Sequence, residues 1–304
     1  MKPTLSPKEL AEAIGVSESS IKRWADGGRL AVQRTAGGHR RIPREEALRF
    51  LRDEGLRPVR PEILGVEEVV EATAAIPGEP AEELYRALLS GREEQAQGIL
   101  TGLYLDGRYL AQILDQVLAP AMTRIGDLWQ HDEAGIYIEH RAVDICERAL
   151  DRIRDLVPPL PADAPTAIGG APAGDPYSLP SRMAATVLRE QGWQVVNLGA
   201  FTPANVAARA AADHGARLVW LALSLHVPDN RLRKEIDAWR QSLAEAGSLA
   251  GLVVGGPAFR EQLPKPARGA QHAGSMAELA AYARGLYTHH APGPNPAATG
   301  GETR

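Results

Sequence analysis

Residues 165–203 read PTAIGGAPAGDPYSLPSRMAATVLREQGWQVVNLGAFTP. A short apolar run ends in Gly169-Gly170. A loop rich in Gly, Pro and Asp follows, Gly174-Asp175-Pro176-Tyr177-Ser178-Leu179-Pro180. Next comes a segment with the apolar spacing of an amphipathic helix, then a second apolar run closing on Asn197-Leu198-Gly199. That order reads as strand, loop, helix, strand: one βαβ unit. In open α/β sheets, ligands sit outside the carboxyl ends of the strands. The 174–180 loop falls at that end, so a bound molecule is expected there first.

The pattern continues downstream. Apolar runs near 217–223 and 249–254 alternate with helical stretches near 203–214, 229–246 and 275–287, and a weak fifth strand falls at 269–273. Residues 163–287 are therefore expected to form a flavodoxin-like α/β domain, a doubly wound parallel sheet. No Gly-x-Gly-x-x-Gly or Walker phosphate loop occurs, which argues against dinucleotide or triphosphate binding. The Pro/Gly-rich tail 288–304 reads as disordered.

Upstream, residues 81–160 read as a four-helix bundle. The strongest pattern is Leu110, Ile113, Leu114, Val117, Leu118, Met122, Ile125 and Trp129, an apolar stripe at helical spacing. A polar loop, His131-Asp132-Glu133-Ala134-Gly135, leads to a last helix that begins near Glu139-His140. The segment 57–80, with Pro58, Pro61, Pro77 and Pro80, reads as a linker.

Residues 1–56 carry a different signature. Ser6-Pro7-Lys8-Glu9 is a capping box with proline in the first turn. Gly15-Val16-Ser17 separates that helix from a second that carries Ile21 and Trp24, which gives a helix-turn-helix. The second helix of this motif enters the major groove, so Ser19, Ser20, Lys22 and Arg23 are the candidates for base and phosphate contact. A Gly37-Gly38 turn between Leu30–Thr35 and His39–Ile42 reads as a two-stranded wing. Its Arg34, Thr35, His39, Arg40 and Arg41 suit backbone phosphates. Residues 1–60 hold 13 Lys/Arg against 8 Asp/Glu, whereas the whole 304-residue chain has a net charge of −4. A basic first domain on an acidic body fits one polyanion-binding end.

The lone cysteine, Cys146, excludes an internal disulfide and a cysteine zinc site. No signal-type or spanning apolar run is present, so a cytoplasmic, nucleoid-associated protein without membrane contact is expected. The eight histidines show no metalloprotease spacing, and no nucleophile accompanies Glu139-His140, so the chain is not expected to be an enzyme.

Three sets of residues carry a family resemblance. Residues 5–11, Gly15-Val16-Ser17, Ile21–Trp24 and the wing string Arg34–Arg41 resemble the DNA-binding domain of MerR-type regulators, which implies a winged helix-turn-helix that binds double-stranded operator DNA as a homo-oligomer, dimer or tetramer. The spacing Trp129-x9-Glu139-His140 resembles the helical cap of cobalamin-binding photoreceptor regulators of the CarH type. There the Trp covers the corrin, the Glu-His pair faces the upper-ligand pocket, and a His next to the Trp captures cobalt after photolysis. Here Gln130 follows the Trp and His131 comes one later. The α/β segment resembles the cobalamin-binding fold of methionine synthase and corrinoid mutases. Ser224-Leu225-His226 stands where that family has Ser-x-Leu, and Gly255-Gly256 follows after 28 intervening residues. The family's Asp-x-His-x-x-Gly becomes Asp175-Pro176-Tyr177-Ser178-Leu179-Pro180, with Tyr177 in place of the cobalt-ligating His.

The resemblance thus implies a DNA-binding transcriptional regulator whose bundle and α/β module sense a tetrapyrrole, in a light-responsive manner, with ligand state changing oligomerisation and operator binding. The tetrapyrrole is cobalamin (adenosylcobalamin or another form) or biliverdin, anchored by Trp129, His131, Glu139, His140, Asp175, Tyr177, Ser224 and His226. One alternative is a cofactor-independent repressor whose C-terminal module serves oligomerisation or antirepressor binding. Another is a corrinoid carrier for methyl transfer, which needs the missing His.

Overall fold

The structure, a computed structural model, describes residues 4–35, 37–54, 56, 58–64, 79–128, 134–225, 227–259 and 269–288. Helix α1 (Pro7–Ile14) opens on the expected capping box: Ser6 Oγ accepts from Glu9 N at 3.2 Å, and Glu9 Oε2 accepts from Ser6 N at 2.7 Å. Gly15 closes the helix at φ 72°, a left-handed conformation that suits glycine. Ser17 caps α2 (Glu18–Asp26) by accepting from Ser20 N at 3.2 Å. Leu10, Ile14 and Ile21 are buried between the two helices.

The wing forms as expected. Strands β2 (Gln33–Arg34) and β3 (Arg40–Pro43) pair antiparallel, with Gly38 at φ 77° in the turn. A third strand, β1 (Thr4–Leu5), pairs with the other edge of β3. Two residues are too short to show a period, which is why sequence reading leaves it out. Helix α3 (Arg44–Asp53) completes the core, with the Phe50 ring 5.0 Å from that of Trp24. The start of the expected linker packs onto this domain. Val59 N and Arg60 N donate to Ala13 O at 2.8 and 3.0 Å, and the short helix α4 (Pro61–Leu64) buries Leu64 completely. Residues 65–78 of the expected linker, and 289–304 of the expected tail, lie outside the described residues.

The helical region contains α5 (Pro80–Leu89), α6 (Glu93–Leu105), α7 (Leu110–Ile113), α8 (Ala119–Leu128) and α9 (Ala134–Leu156). Between α7 and α8 the chain widens into one π-helical turn, Leu114–Leu118, where Ala119 N bonds to Leu114 O. Pro120 explains it: proline lacks the N–H and its ring crowds the carbonyl four residues back, so the ladder steps out just before it. Five residues of the apolar stripe (Leu110, Ile113, Leu114, Leu118 and Ile125) are at most 1% exposed. Arg141 of α9 donates to Leu89 O at 2.9 Å and lies against Gly91, fixing the start of α9 on the turn after α5.

The C-terminal part is a five-stranded parallel sheet in the order β5-β4-β6-β7-β8, formed by β4 (Thr166–Gly170), β5 (Gln194–Asn197), β6 (Leu218–Ala222), β7 (Gly251–Gly255) and β8 (Ala270–Ala273). That is the flavodoxin-like order. Helices α10 (Leu179–Glu190) and α13 (Met276–Thr288) cover one face through Ala184, Leu188, Leu279 and Ala283. Helices α11 (Ala204–Asp213) and α12 (Asp229–Glu245) cover the other through Ala207, Ala211, Ile236 and Trp239.

Bundle and sheet share one core, since Leu179, Met183, Val187 and Ala280 pack with the bundle interior. They also cap each other's helices. Asp115 of the bundle accepts from Met276 N and Ala277 N at 2.9 and 3.0 Å at the start of α13. Glu190 at the end of α10 accepts from Leu110 N at 3.2 Å at the start of α7. Each pair satisfies helix-start donors that would otherwise be orphaned.

Glycine in the sheet has a packing cause. Gly169 pairs with Trp220 across β4 and β6, and a Cβ on Gly169 would collide with the Trp220 indole and carbonyl. We expect Gly169→Ala to destabilise the fold by about 1–3 kcal/mol through overpacking, read as a lower urea midpoint at unchanged m-value.

Candidate functional site

Two regions carry the chemistry. The first is a cleft of about 510 Å³ on the N-terminal domain, where the start of α1, helix α2 and the wing converge. Its lining includes Lys8, Lys22, Arg34, His39, Arg40 and Arg41. Thr35 and His39 hold the wing turn together: Thr35 N donates to His39 O at 3.0 Å, and His39 N donates to Thr35 Oγ1 at 3.2 Å. At the start of α2, Ser17 Oγ lies 2.7 Å from Ser19 Oγ and 2.9 Å from Ser20 Oγ. Lys22 pairs with Glu18 at 2.8 Å, Arg41 with Glu9 at 3.9 Å, and Arg40 with Asp26. Arg23 and Arg34 are exposed, and among the described residues Arg34 has no carboxylate partner. Exposed ion pairs of this kind are worth about 0–1 kcal/mol, so they yield readily to a phosphate.

The second region is the carboxyl edge of the sheet. Asp175 is 1% exposed, and its carboxylate is fully employed. Oδ1 accepts from Tyr177 N at 3.0 Å, and Oδ2 accepts from Ser224 N and Leu225 N at 2.6 and 3.2 Å. Its backbone carbonyl accepts from Phe201 N at 3.1 Å. One side chain therefore ties the loop after β4 to the loop after β6, and its main chain ties it to the loop after β5. Ser224 Oγ is buried beside this stitch with no hydrogen-bond partner among the described residues. Gly256 sits at φ 116°, and a Cβ there would strike Leu223 O; one on Gly255 would lie 2.5 Å from Ala273 O. Only glycine fits this pair.

Tyr177 is 38% exposed. Burial, then the charges of Glu139 and Asp175, push its phenol above the ordinary tyrosine range. Ser178 of the same loop donates to Glu147 at 2.6 Å, which sets the loop against α9, the helix that carries Glu139. His140 is exposed beside Glu139. Trp129, His131 and His226 lie outside the described residues.

Three residues near this edge escape sequence reading. Phe201 is a non-glycine residue at φ 53° and is 60% exposed. Ile136 and Tyr137, which precede Glu139-His140, are 47% and 59% exposed. A strained, exposed aromatic at a strand end is a functional signal, but nothing in the local sequence marks the φ. Cys146, by contrast, is fully buried and its thiol is pushed up to about 12, which leaves it inert. Among the described residues no cluster of three His, Cys, Asp or Glu could hold a metal, and no helix is long and apolar enough to cross a membrane.

Two tests follow from the Asp175 stitch. Asp175→Asn keeps the shape but loses the charge-assisted bonds, and should cost about 2 kcal/mol in a urea melt. Because the native phenol of Tyr177 is shifted upward, its neutral form is favoured by folding. Its contribution to stability is intact below pH 10 and declines as pH rises through the higher native value. Phenolate absorbance in the native protein, compared with Tyr177→Phe, should show that late ionisation.

Two segments of the chain match known families. Residues 4–55 match the helix-turn-helix domain family, and residues 80–154 match the B12 binding domain family. Over 296 residues the chain is 27% identical to the HTH-type transcriptional repressor CarA of Myxococcus xanthus, covering 91% of this chain and 96% of that protein. Among solved structures it resembles the monomethylamine corrinoid protein of Methanosarcina barkeri, at 20% identity and a TM-score of 0.49, over 68% of this chain and 98% of that one. It also resembles a methanol:cobalamin methyltransferase complex of the same organism, at 16% identity and a TM-score of 0.38, over 74% and 85%. Both scores are too low to bear on ligand or reaction. The chain is a DNA-binding protein of transcription regulation that joins a helix-turn-helix domain to a cobalamin-binding domain, and it is similar over nearly its whole length to a CarH-type repressor.

Proposed function

We propose that this protein reads operator DNA with its winged domain and binds a cobalamin between the bundle and the carboxyl edge of the sheet, so that occupancy changes how the DNA-binding domains are presented. The observation that carries the ligand half is Ser224 Oγ, a buried hydroxyl beside Gly255-Gly256 without a partner among the described residues. A buried polar atom left unpaired costs about 1–3 kcal/mol, and the nucleotide tail of a cobalamin offers the missing partner. On the bundle side Ile136 and Tyr137 provide apolar contact, with Glu139 and His140 as the polar groups.

The lower face is different from that of a histidine-ligated corrinoid. Tyr177 stays neutral, and a neutral phenol is a weak metal donor. Asp175 spends its carboxylate on three backbone N–H groups, so it orients no ligand. The described residues would fit the tail and the ring, with Tyr177 standing where a histidine is found in histidine-ligated corrinoid proteins. A bound corrin would supply cobalt chemistry, and Glu139 of α9 and Tyr177 of the 174–180 loop would be the polar groups that hold it. Binding there favours one packing of bundle on sheet and thereby one oligomer, a dimer or tetramer.

The test is gel filtration of the full chain with adenosylcobalamin or hydroxocobalamin, read by visible absorbance. Co-elution with a spectrum lacking imidazole ligation is expected, and Ser224→Val should weaken retention at least tenfold. Absence of co-elution overturns the cobalamin reading and favours the cofactor-independent repressor, whereas a strong red band with biliverdin instead assigns the slot to a bilin. Operator binding in the dark and after illumination of the loaded protein tests the light response.

For the DNA face, Arg34→Ala should weaken binding uniformly across sequences and reduce the slope of log K against log salt by about 1. Arg40→Ala should do the same, because its Asp26 partner is an exposed one. An unchanged slope in both variants removes the wing from the phosphate contacts.

A further inference from the structure

A second cleft lies away from the carboxyl edge. It has a volume of about 660 Å³ and lies between α9, α10 and the edge strand β5, roofed by the connection that carries Val157 and Pro159. It extends along α10 from Arg182, near the end of β5, to Arg189, near its start. Those residues are seven apart, roughly 10 Å along a helix. The Arg189 end is thus the opposite end of β5 from the Asp175 stitch.

Charge in the cleft is unevenly matched. Arg182 bonds Asp151 at 2.7 Å and lies 3.7 Å from Glu147. Arg154 shares Asp151 at 3.2 Å and reaches Asp155 at 3.8 Å. Arg189 has no carboxylate partner among the described residues; its one hydrogen bond is to the Pro158 carbonyl, at 3.5 Å. Its guanidinium is held below the ordinary arginine range, first by burial and then by the charge of Arg154. Arg154, Arg182 and Arg189 thus line one cleft whose carboxylates are already taken. At the other end Asn197 Oδ1 accepts from Ser181 Oγ at 2.8 Å and from Gly199 N at 3.1 Å, which turns its amide N–H2 group to donation. Val157, Ala185 and Val195 lie between.

We infer that this cleft is a second ligand site, for a small phosphate-bearing molecule whose phosphate sits between Arg154 and Arg189. Paired guanidiniums suit a phosphate because their planar donors match its oxygens. The volume falls within the range of small-molecule sites, which leaves room for an uncharged body over the apolar floor with an oxygen facing Asn197. Arg154 belongs to the bundle and Arg189 to the sheet domain, so an anion between them bridges the seam that the cobalamin also spans. The site acts as a second input on bundle-on-sheet packing, and it stands independently of the cobalamin reading.

The test is calorimetric titration of the full, cobalamin-free chain with inorganic phosphate and with glycerol phosphate, at constant ionic strength set by sodium chloride. Saturable binding and a rise in Tm with phosphate are expected, with glycerol phosphate binding the tighter. Arg189→Gln and Arg154→Gln should each weaken binding at least tenfold; Arg154 is half-exposed, so its variant folds. The basic wing is the competing phosphate site, and Arg40→Ala should leave the affinity unchanged. No saturable binding, unchanged affinity in both cleft variants, or loss of binding in Arg40→Ala overturns the proposal.

Discussion

A buried carboxylate must be satisfied, and Asp175 is satisfied by main chain alone. Its two oxygens take N–H groups from its own loop and from the loop after β6, and its carbonyl takes one from the loop after β5. Three loops at the carboxyl edge thus become one rigid rim. Removing the side chain would leave buried donors unpaired, and each such donor costs about 1–3 kcal/mol. The rim in turn sets the position of Tyr177, of Phe201 and of the Ser224 hydroxyl, which has no partner among the described residues.

The rim also decides how the bundle reads that edge. Ser178, three residues after Asp175, donates to Glu147 of α9 at 2.6 Å, and Arg182 one turn on bonds Asp151. With the reciprocal caps made by Asp115 and Glu190, the long helix α9 is held along α10 at several points. The seam is thus a packed interface rather than a loose hinge. Packed interfaces have few alternative arrangements, and that makes them suited to switching. The N-terminal domain rests on the same elements, since Leu105 of α6 and Leu156 of α9 pack against its core.

Much of this was legible from local pattern. Capping at Ser6 and Ser17, the glycine at position 15, the wing turn and the five apolar runs are all encoded within a few residues of themselves. The π-turn before Pro120 obeys an equally local rule. The role of Asp175 is not local. Asp-Pro-Tyr-Ser-Leu-Pro suggests a turn, and nothing within it indicates that the carboxylate serves residues 49 and 50 positions downstream. Phe201 is similar: its N–H bonds Asp175 O, 26 positions upstream, and nothing in its neighbours marks its positive φ. Residues 58–64 read as linker because they are rich in proline, yet Leu64 has a pocket to enter.

The sequence by itself determined the partition of the chain: a basic winged helix-turn-helix, a helical region and a doubly wound sheet. Periodicity, caps and charge are properties of neighbouring residues, and they survive without tertiary contacts. Only the tertiary structure decided which groups meet. It tied Ser178 to Glu147 of α9, spent Asp175 on main-chain donors, left Ser224 Oγ without a partner among the described residues, and set Arg154 and Arg189 in one cleft. Such encounters depend on how α9 lies on α10, and that packing is set by the summed burial of the shared core rather than by any motif.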